Sequence, residues 1–115
     1  MYVCIFAYTN FNVMAETIFE LRFETDKIES AAYLLKAVVH PTRLAVIDLL
    51  DQYKEMNVSD FVNALNTSHA LMSHHLTDMK SKNILKTRRE GQQIFYSIKE
   101  KAVLGLLKCI QNCKH

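Results

Sequence analysis

The most constraining feature of this chain is a change of hydrophobic period between Asn57 and Ile98. Val58, Phe61, Val62 and Leu65 fall at helical spacing. After the short polar stretch Asn66-Thr67-Ser68, Met72, Leu76 and Met79 follow at i, i+4 and i+7, the buried stripe of a second helix. So short a connection makes the pair a helix-turn-helix. The spacing then drops to two residues: "ILKTRREGQQIFYSI" reads as two short strands around Glu90-Gly91-Gln92, with Gly91 at the turn. Asn57 is the expected N-cap of the first of these helices, with Asp60 at its third position.

Helices are expected on both flanks. Asp26 is a candidate N-cap with Glu29 three residues on, opening a helix that carries Leu34, Leu35 and Val38 on one face. Pro41 breaks that helix and suits the first turn of the next, which points Leu44, Val46, Ile47, Leu49 and Leu50 inward. Near the C-terminus, "KAVLGLLKCIQNC" is helical again. Its face of Val103, Leu106, Leu107 and Ile110 is too apolar for a lone surface helix, so a partner is expected. Two glycines and one proline in 115 residues favour helices over a sandwich or barrel, which need many special turns. The expected fold is mainly α with a small β-hairpin: a winged helix-turn-helix with an additional helix at each end. Residues 25–115 form this domain. Residues 1–24 read as an extension or arm in which "YVCIFAY" is strand-like and Ile18–Glu24 reads equally as a strand or a frayed helix arm.

Charge is segregated along the chain. Residues 1–60 carry a net −4 and residues 61–115 a net +6, the footprint of a polyanion site on the C-terminal half. No apolar run has the length of a membrane span, and an odd count of three cysteines argues against a disulfide framework, so the expected location is the cytoplasm.

The stretch "SHALMSHHLTDMK" holds His69, His74 and His75 within seven residues. A zinc site would need them convergent, yet at about 100° per residue His74 and His75 diverge, and His69 suits neither. No nucleophile–base–orienter set is visible, so an enzyme is not expected. With Met72, Leu76 and Met79 inward, the outer side carries His69, Ala70, Leu71, Ser73, His74 and Thr77, polar tips suited to base edges or phosphates. His75, nearest the buried stripe, reads as a packed structural histidine.

Four stretches, "LKAVVHPTRLAVIDLL", "NVSDFVNAL", "SHALMSHHLTDMKSKNIL" and "RREGQQIFYSI", resemble the ArsR/SmtB family of dimeric bacterial metal- and redox-responsive repressors, over Leu34 to Ile98. The resemblance implies a homodimer built from the first and last helices, with Leu34, Leu35, Val103, Leu106, Leu107 and Ile110 at the interface. It implies that residues 68–80 enter the major groove of double-stranded DNA at a near-palindromic operator, with Ser68, His69, Ala70, Leu71, Ser73, His74, Thr77 and Lys80 in contact. It also makes residues 86–97 a wing whose Lys86, Arg88, Arg89 and Gln92 reach the backbone, a contact that supplies affinity rather than sequence choice.

The chain departs from the family in its sensing residues. Asn57 and Ser59 stand where many members carry a thiol pair, which removes capture of soft metals there. On the last helix Glu100 matches a family Asp ligand, but Ala102 replaces a His and Cys113 another, leaving a poor zinc site. Cys109 and Cys113, at i and i+4, remain as a thiol pair for a soft metal ion or for cysteine oxidation. Against this stands the plainer reading that both cysteines only pack. Against DNA binding stands a winged-helix protein-interaction module that lost it.

Overall fold

The computed structural model describes residues 21–113. Its elements run α1 (Thr25–Val38), α2 (Pro41–Tyr53), β1 (Met56–Asn57), α3 (Val58–Leu65), α4 (His69–Ser81), β2 (Leu85–Glu90), β3 (Gln93–Ile98) and α5 (Ala102–Asn112). The chain divides into two compact units, residues 1–35 and 36–115. The boundary expected at residue 24/25 marks where α1 begins, whereas the compact units part within that helix.

In the first unit, α1 starts one residue before its expected cap. The Glu24 carbonyl accepts from the amides of Lys27 and Ile28 at 3.0 and 3.1 Å, which places Asp26 inside the first turn instead of at the N-cap. There its carboxylate favours the helix through the macrodipole rather than by capping. The strand-like "YVCIFAY" lies outside the described residues, as do residues 18–20 of the Ile18–Glu24 stretch. The part that is described, Leu21–Glu24, is not a strand.

The second unit holds the core. Ala37 and Val38, in the last turn of α1, are buried, as are Val46, Ile47 and Leu50 of α2. Of the face expected from Leu34, Leu35 and Val38, only Val38 is buried; Leu34 is half-buried and Leu35 is 43% exposed. His40 caps α2 and Pro41 opens it, with His40 Nδ1 accepting from the Thr42 amide at 3.1 Å. Phe61 anchors α3, Met72, Leu76 and Met79 anchor α4, and Met56, Ile84, Leu85, Tyr96, Ile98 and Val103 complete the core.

The sheet has three antiparallel strands in the order β1-β3-β2, one more than the hairpin expected. The added strand pairs Met56 with Tyr96 and Asn57 with Phe95. Two residues are too few to show a period, and Asn57 also caps α3, so the local signal there is helical. In the hairpin Leu85 faces Ile98 and Glu90 faces Gln93. Gly91 (φ +64°) takes the first turn position, where a two-residue hairpin loop favours glycine. Among the described residues, no helix is long and apolar enough to cross a membrane. The architecture is a winged helix-turn-helix.

Candidate nucleic-acid interface

The two helices of the motif are fixed by their caps. In α3 the Asn57 side chain accepts from the Asp60 amide at 2.8 Å, and the Asp60 carboxylate accepts from the Asn57 amide at 3.2 Å, a full capping box. The helix ends on Asn66 at φ 54°, ψ 50°, a left-handed conformation that asparagine tolerates. Ser68 then caps α4, its Oγ accepting from the Leu71 amide at 3.1 Å. The Ser68 hydroxyl is thereby oriented, and its proton remains available to donate outward.

The two sides of α4 differ sharply. Met72, His75, Leu76 and Met79 are buried. His69, Ala70, Leu71, His74, Thr77 and Lys80 are exposed, and Ser73 is half-buried at the margin. Leu71 is 48% exposed, so it stands on the outer face rather than at the edge of the core.

The three histidines point in different directions. His75 is buried, and its Nδ1 accepts from Arg43 Nε at 3.0 Å. Its ring centroid lies 4.6 Å from His40 and 6.1 Å from His74. Burial lowers the affinity of His75 for a proton, and the positive charge of Arg43 lowers it further; His40 and His74 add to this while Asp78 opposes it. A neutral His75 holding its proton on Nε2 is the form that can accept from Arg43. His69 and His74 stay on the outer face. Among the described residues, no three His, Cys, Asp or Glu side chains gather to hold a metal ion.

The hairpin places Lys86, Arg88, Arg89 and Gln92 at the surface, but not equivalently. Arg88 grips Glu55 with Nε and Nη2 at 3.0 and 2.8 Å, touches Glu90 at 3.3 Å, and lies 5.0 Å over the Phe95 ring. The Arg88 hydrogen bond holds the Glu55 carboxyl below its usual range, with Lys86 contributing more weakly. Arg88 is therefore part of an internal network. Among the described residues Lys80, Lys86 and Arg89 form no ion pair.

A groove of about 250 Å³ joins the start of α3, the start of α4 and the wing, lined by Asn57, Val58, Ser59, His69, Gln92, Gln93 and Ile94. Asn57 Nδ2 donates to Gln93 Oε1 at 3.1 Å and ties the wing to the helix-turn-helix. Sequence reasoning missed Gln93, Ser59 and Ile94 as parts of this surface, and Glu55 as the partner of Arg88. These pairings join residues 33 to 36 positions apart, so no local spacing signals them.

On α5, Val103 is buried, Leu106 and Leu107 are half-buried, and Ile110 is 48% exposed. Cys109 and Cys113 are both free and exposed, so within one protomer neither packs in the core. Cys113 is the C-cap, with extended backbone at ψ 135°, and stands just past the helical rise. Glu100 accepts from the Ala102 amide at 3.2 Å and helps to open α5.

Comparison with known proteins agrees with this geometry. The family model for bacterial regulatory proteins of the arsR family matches residues 40–87. The transcriptional repressor PagR of Bacillus anthracis is 35% identical over 77% of this chain and 89% of its own length. Its crystal structure superposes with a TM-score of 0.69, at 36% identity, over 76% of this chain and 99% of that one. A solution structure from Mycobacterium bovis, described as a homodimeric winged helix-turn-helix DNA-binding domain and a possible ArsR-family regulator, gives a TM-score of 0.65 at 26% identity, over 83% of this chain and 87% of that one. The cadmium resistance regulatory protein CadC homolog of Staphylococcus aureus is 34% identical over 67% of this chain and 64% of its own. A helix-turn-helix with this wing, matched at this level to PagR over nearly its whole length, belongs to the ArsR family.

Proposed function

We propose that this chain is a homodimeric transcriptional repressor that reads double-stranded DNA with α4 in the major groove and the β2–β3 wing on the backbone. The observation that carries the reading is the division of α4. Its inner side is sealed in the core, while His69, Leu71, His74 and Thr77 face solvent, His69 sharing a groove with the wing, and Ser73 lies at the margin. Major-groove readers need such a helix, rigidly backed and polar-tipped outside. Relatives named as a repressor and as a homodimeric DNA-binding domain support it. His69, Ser73 and His74 are assigned to base edges and Leu71 to a thymine methyl, with Ser68, Ala70 and Thr77 at the helix surface beside them. Lys80, Lys86, Arg89 and Gln92 are assigned to the sugar-phosphate backbone. The half-buried or exposed Leu34, Leu35, Leu106, Leu107 and Ile110 are assigned to the dimer interface, whereas Val103, expected there too, is buried within the protomer. Two recognition helices then read half-sites about 34 Å apart in successive major grooves.

The input signal is assigned to Cys109 and Cys113. Both thiols are exposed in the protomer and so open to a soft metal ion or to oxidation, with packing against a partner helix as the plainer alternative. A relative named for cadmium resistance supports a metal input in the family. Because Cys113 stands at the helix end, joining it to Cys109 unwinds only the last turn of α5. Such a change biases the dimer through a coupling of about 1–3 kcal/mol.

The test is selection of a duplex from a randomised pool, followed by hydroxyl-radical footprinting. The reading expects two protected segments one helical turn apart and a two-fold symmetric consensus. A pool that yields no enriched sequence would remove it in favour of a protein-interaction module.

A further inference from the structure

Arg43 lies in the first turn of α2, three residues past the His40 cap, with its side chain only 13% exposed. It holds three partners at once. Nε donates to His75 Nδ1 at 3.0 Å, and Nη1 donates to the Ala37 carbonyl at 2.9 Å and to the Asp78 carboxylate at 2.6 Å. His75 and Asp78 are i and i+3 on α4, and Ala37 is in the last turn of α1. One guanidinium thus pins two points of α4 to the α1–α2 junction.

The stripe of Met72, Leu76 and Met79 decides which side of α4 is inward, but apolar packing is non-directional and leaves the rotation of the helix loosely specified. The planar fork of a guanidinium fixes direction. The distinction matters for a reading surface. A rotation of about 20° moves a side-chain tip at a radius of about 5 Å by nearly 2 Å, well beyond the roughly 0.5 Å over which hydrogen-bond lengths range. Phosphate attraction, acting over a Debye length of about 8–10 Å, barely registers such a shift. His75 shows the same commitment. Its Nε2 is buried and without a partner among the described residues, a costly state for a polar atom, while its Nδ1 is engaged by Arg43.

We infer that Arg43 is a positioning residue for base reading: by holding His75, Asp78 and the Ala37 carbonyl it sets the rotation of α4, so that discrimination between sequences, rather than general affinity for duplex, depends on it. The inference rests on the DNA-reading function proposed above.

The test uses the full chain, the duplex that the wild type selects from a randomised pool, and a scrambled duplex of equal length, with affinities from fluorescence anisotropy at one salt concentration. Arg43→Lys keeps the charge and loses the fork. It is expected to lower affinity for the selected duplex about tenfold or more, the scale of one misread base pair, and to leave the scrambled duplex within about twofold. His75→Leu, apolar at a buried position, keeps the fold measurable if Arg43 variants unfold, and is expected to lose discrimination likewise. His75→Gln, whose side-chain oxygen can accept from Arg43, is expected to retain it. Arg43→Lys or His75→Leu binding with wild-type discrimination, or losing both duplexes equally, overturns the inference while leaving the DNA reading intact. A wild type that binds neither duplex overturns the DNA reading and this inference with it.

Discussion

Arg88 and Glu55 form a two-pronged ion pair across 33 positions of sequence, with the guanidinium resting over Phe95. The pair joins the wing to the segment between α2 and β1. It also separates two arginines that are neighbours in sequence. Arg88 is already neutralised within the fold, while among the described residues Arg89 forms no ion pair. An exposed pair of this kind adds little to stability; its consequence is the direction in which the Arg88 charge is held.

Arg89→Ala is therefore expected to weaken binding to every duplex and to reduce the salt slope by about one for each phosphate that Arg89 neutralises. Arg88→Ala is expected to do markedly less. Glu55→Gln, which leaves Arg88 without its carboxylate, is expected to raise affinity for selected and scrambled duplexes alike. Salt titrations of the three variants check this, and an Arg88→Ala effect as large as that of Arg89→Ala would contradict it.

On α4 the expectation is one of sequence choice. Ser73→Ala and His74→Ala are each expected to cost about 1–3 kcal/mol at the base pairs they face and little elsewhere. Repeating the selection with each variant reads this directly. An unchanged consensus, or equal losses on selected and scrambled duplexes, would exclude base reading by these side chains.

His75 gives a pH dependence with a definite sign. The fold lowers its pKa from the ordinary value of 6.5, through burial and then through Arg43, His40 and His74, against Asp78. Below pH 6.5 the unfolded chain therefore binds more protons at this site than the folded one, and stability rises with pH. The contribution is fully present above 6.5 and is lost as pH falls through the lowered native value. Urea midpoints measured from about pH 7 to pH 5 are expected to decline, and the His75→Gln variant is expected to decline less. Asp78, also lowered, acts in a separate and more acidic window, below its ordinary 3.8. Parallel curves for the variant and the wild type would show that His75 carries none of the effect.

The thiols supply the fourth expectation. Titrating the protein–DNA complex with Cd(II), As(III), a disulfide or a polysulfide is expected to release DNA, and Cys109→Ser and Cys113→Ser are each expected to abolish that release. Release that survives both substitutions would end the thiol account.

The parts of this fold that were legible in sequence are those in which one element signals by itself. Met72, Leu76 and Met79 showed the inner side of α4 by spacing, and Asn57 with Asp60 showed the start of α3 by side-chain chemistry; both hold in the structure. Gly91 marked its turn because few other residues take φ +64°. What was illegible depends on residues far apart in the chain. Strand β1 exists because Met56 and Asn57 meet Tyr96 and Phe95, forty and thirty-eight positions away. Arg88 looked like one more free cation of the wing because Glu55 lies 33 residues upstream. Arg43 carried no signal of its own in the sequence, and only the packing of α4 reveals what it holds. Asp26 misled for the opposite reason: its side chain suits a cap, but the Glu24 carbonyl starts the helix two residues earlier.

The most direct test of the central claim is the salt dependence of binding to the selected duplex. With Lys80, Lys86 and Arg89 on the backbone in each of two protomers, six neutralised phosphates give a plot of log affinity against log salt with a slope of about −5. A straight, steep fall of that order, together with a stoichiometry of one dimer per duplex, is the result this account requires. An affinity that is flat with salt would contradict it.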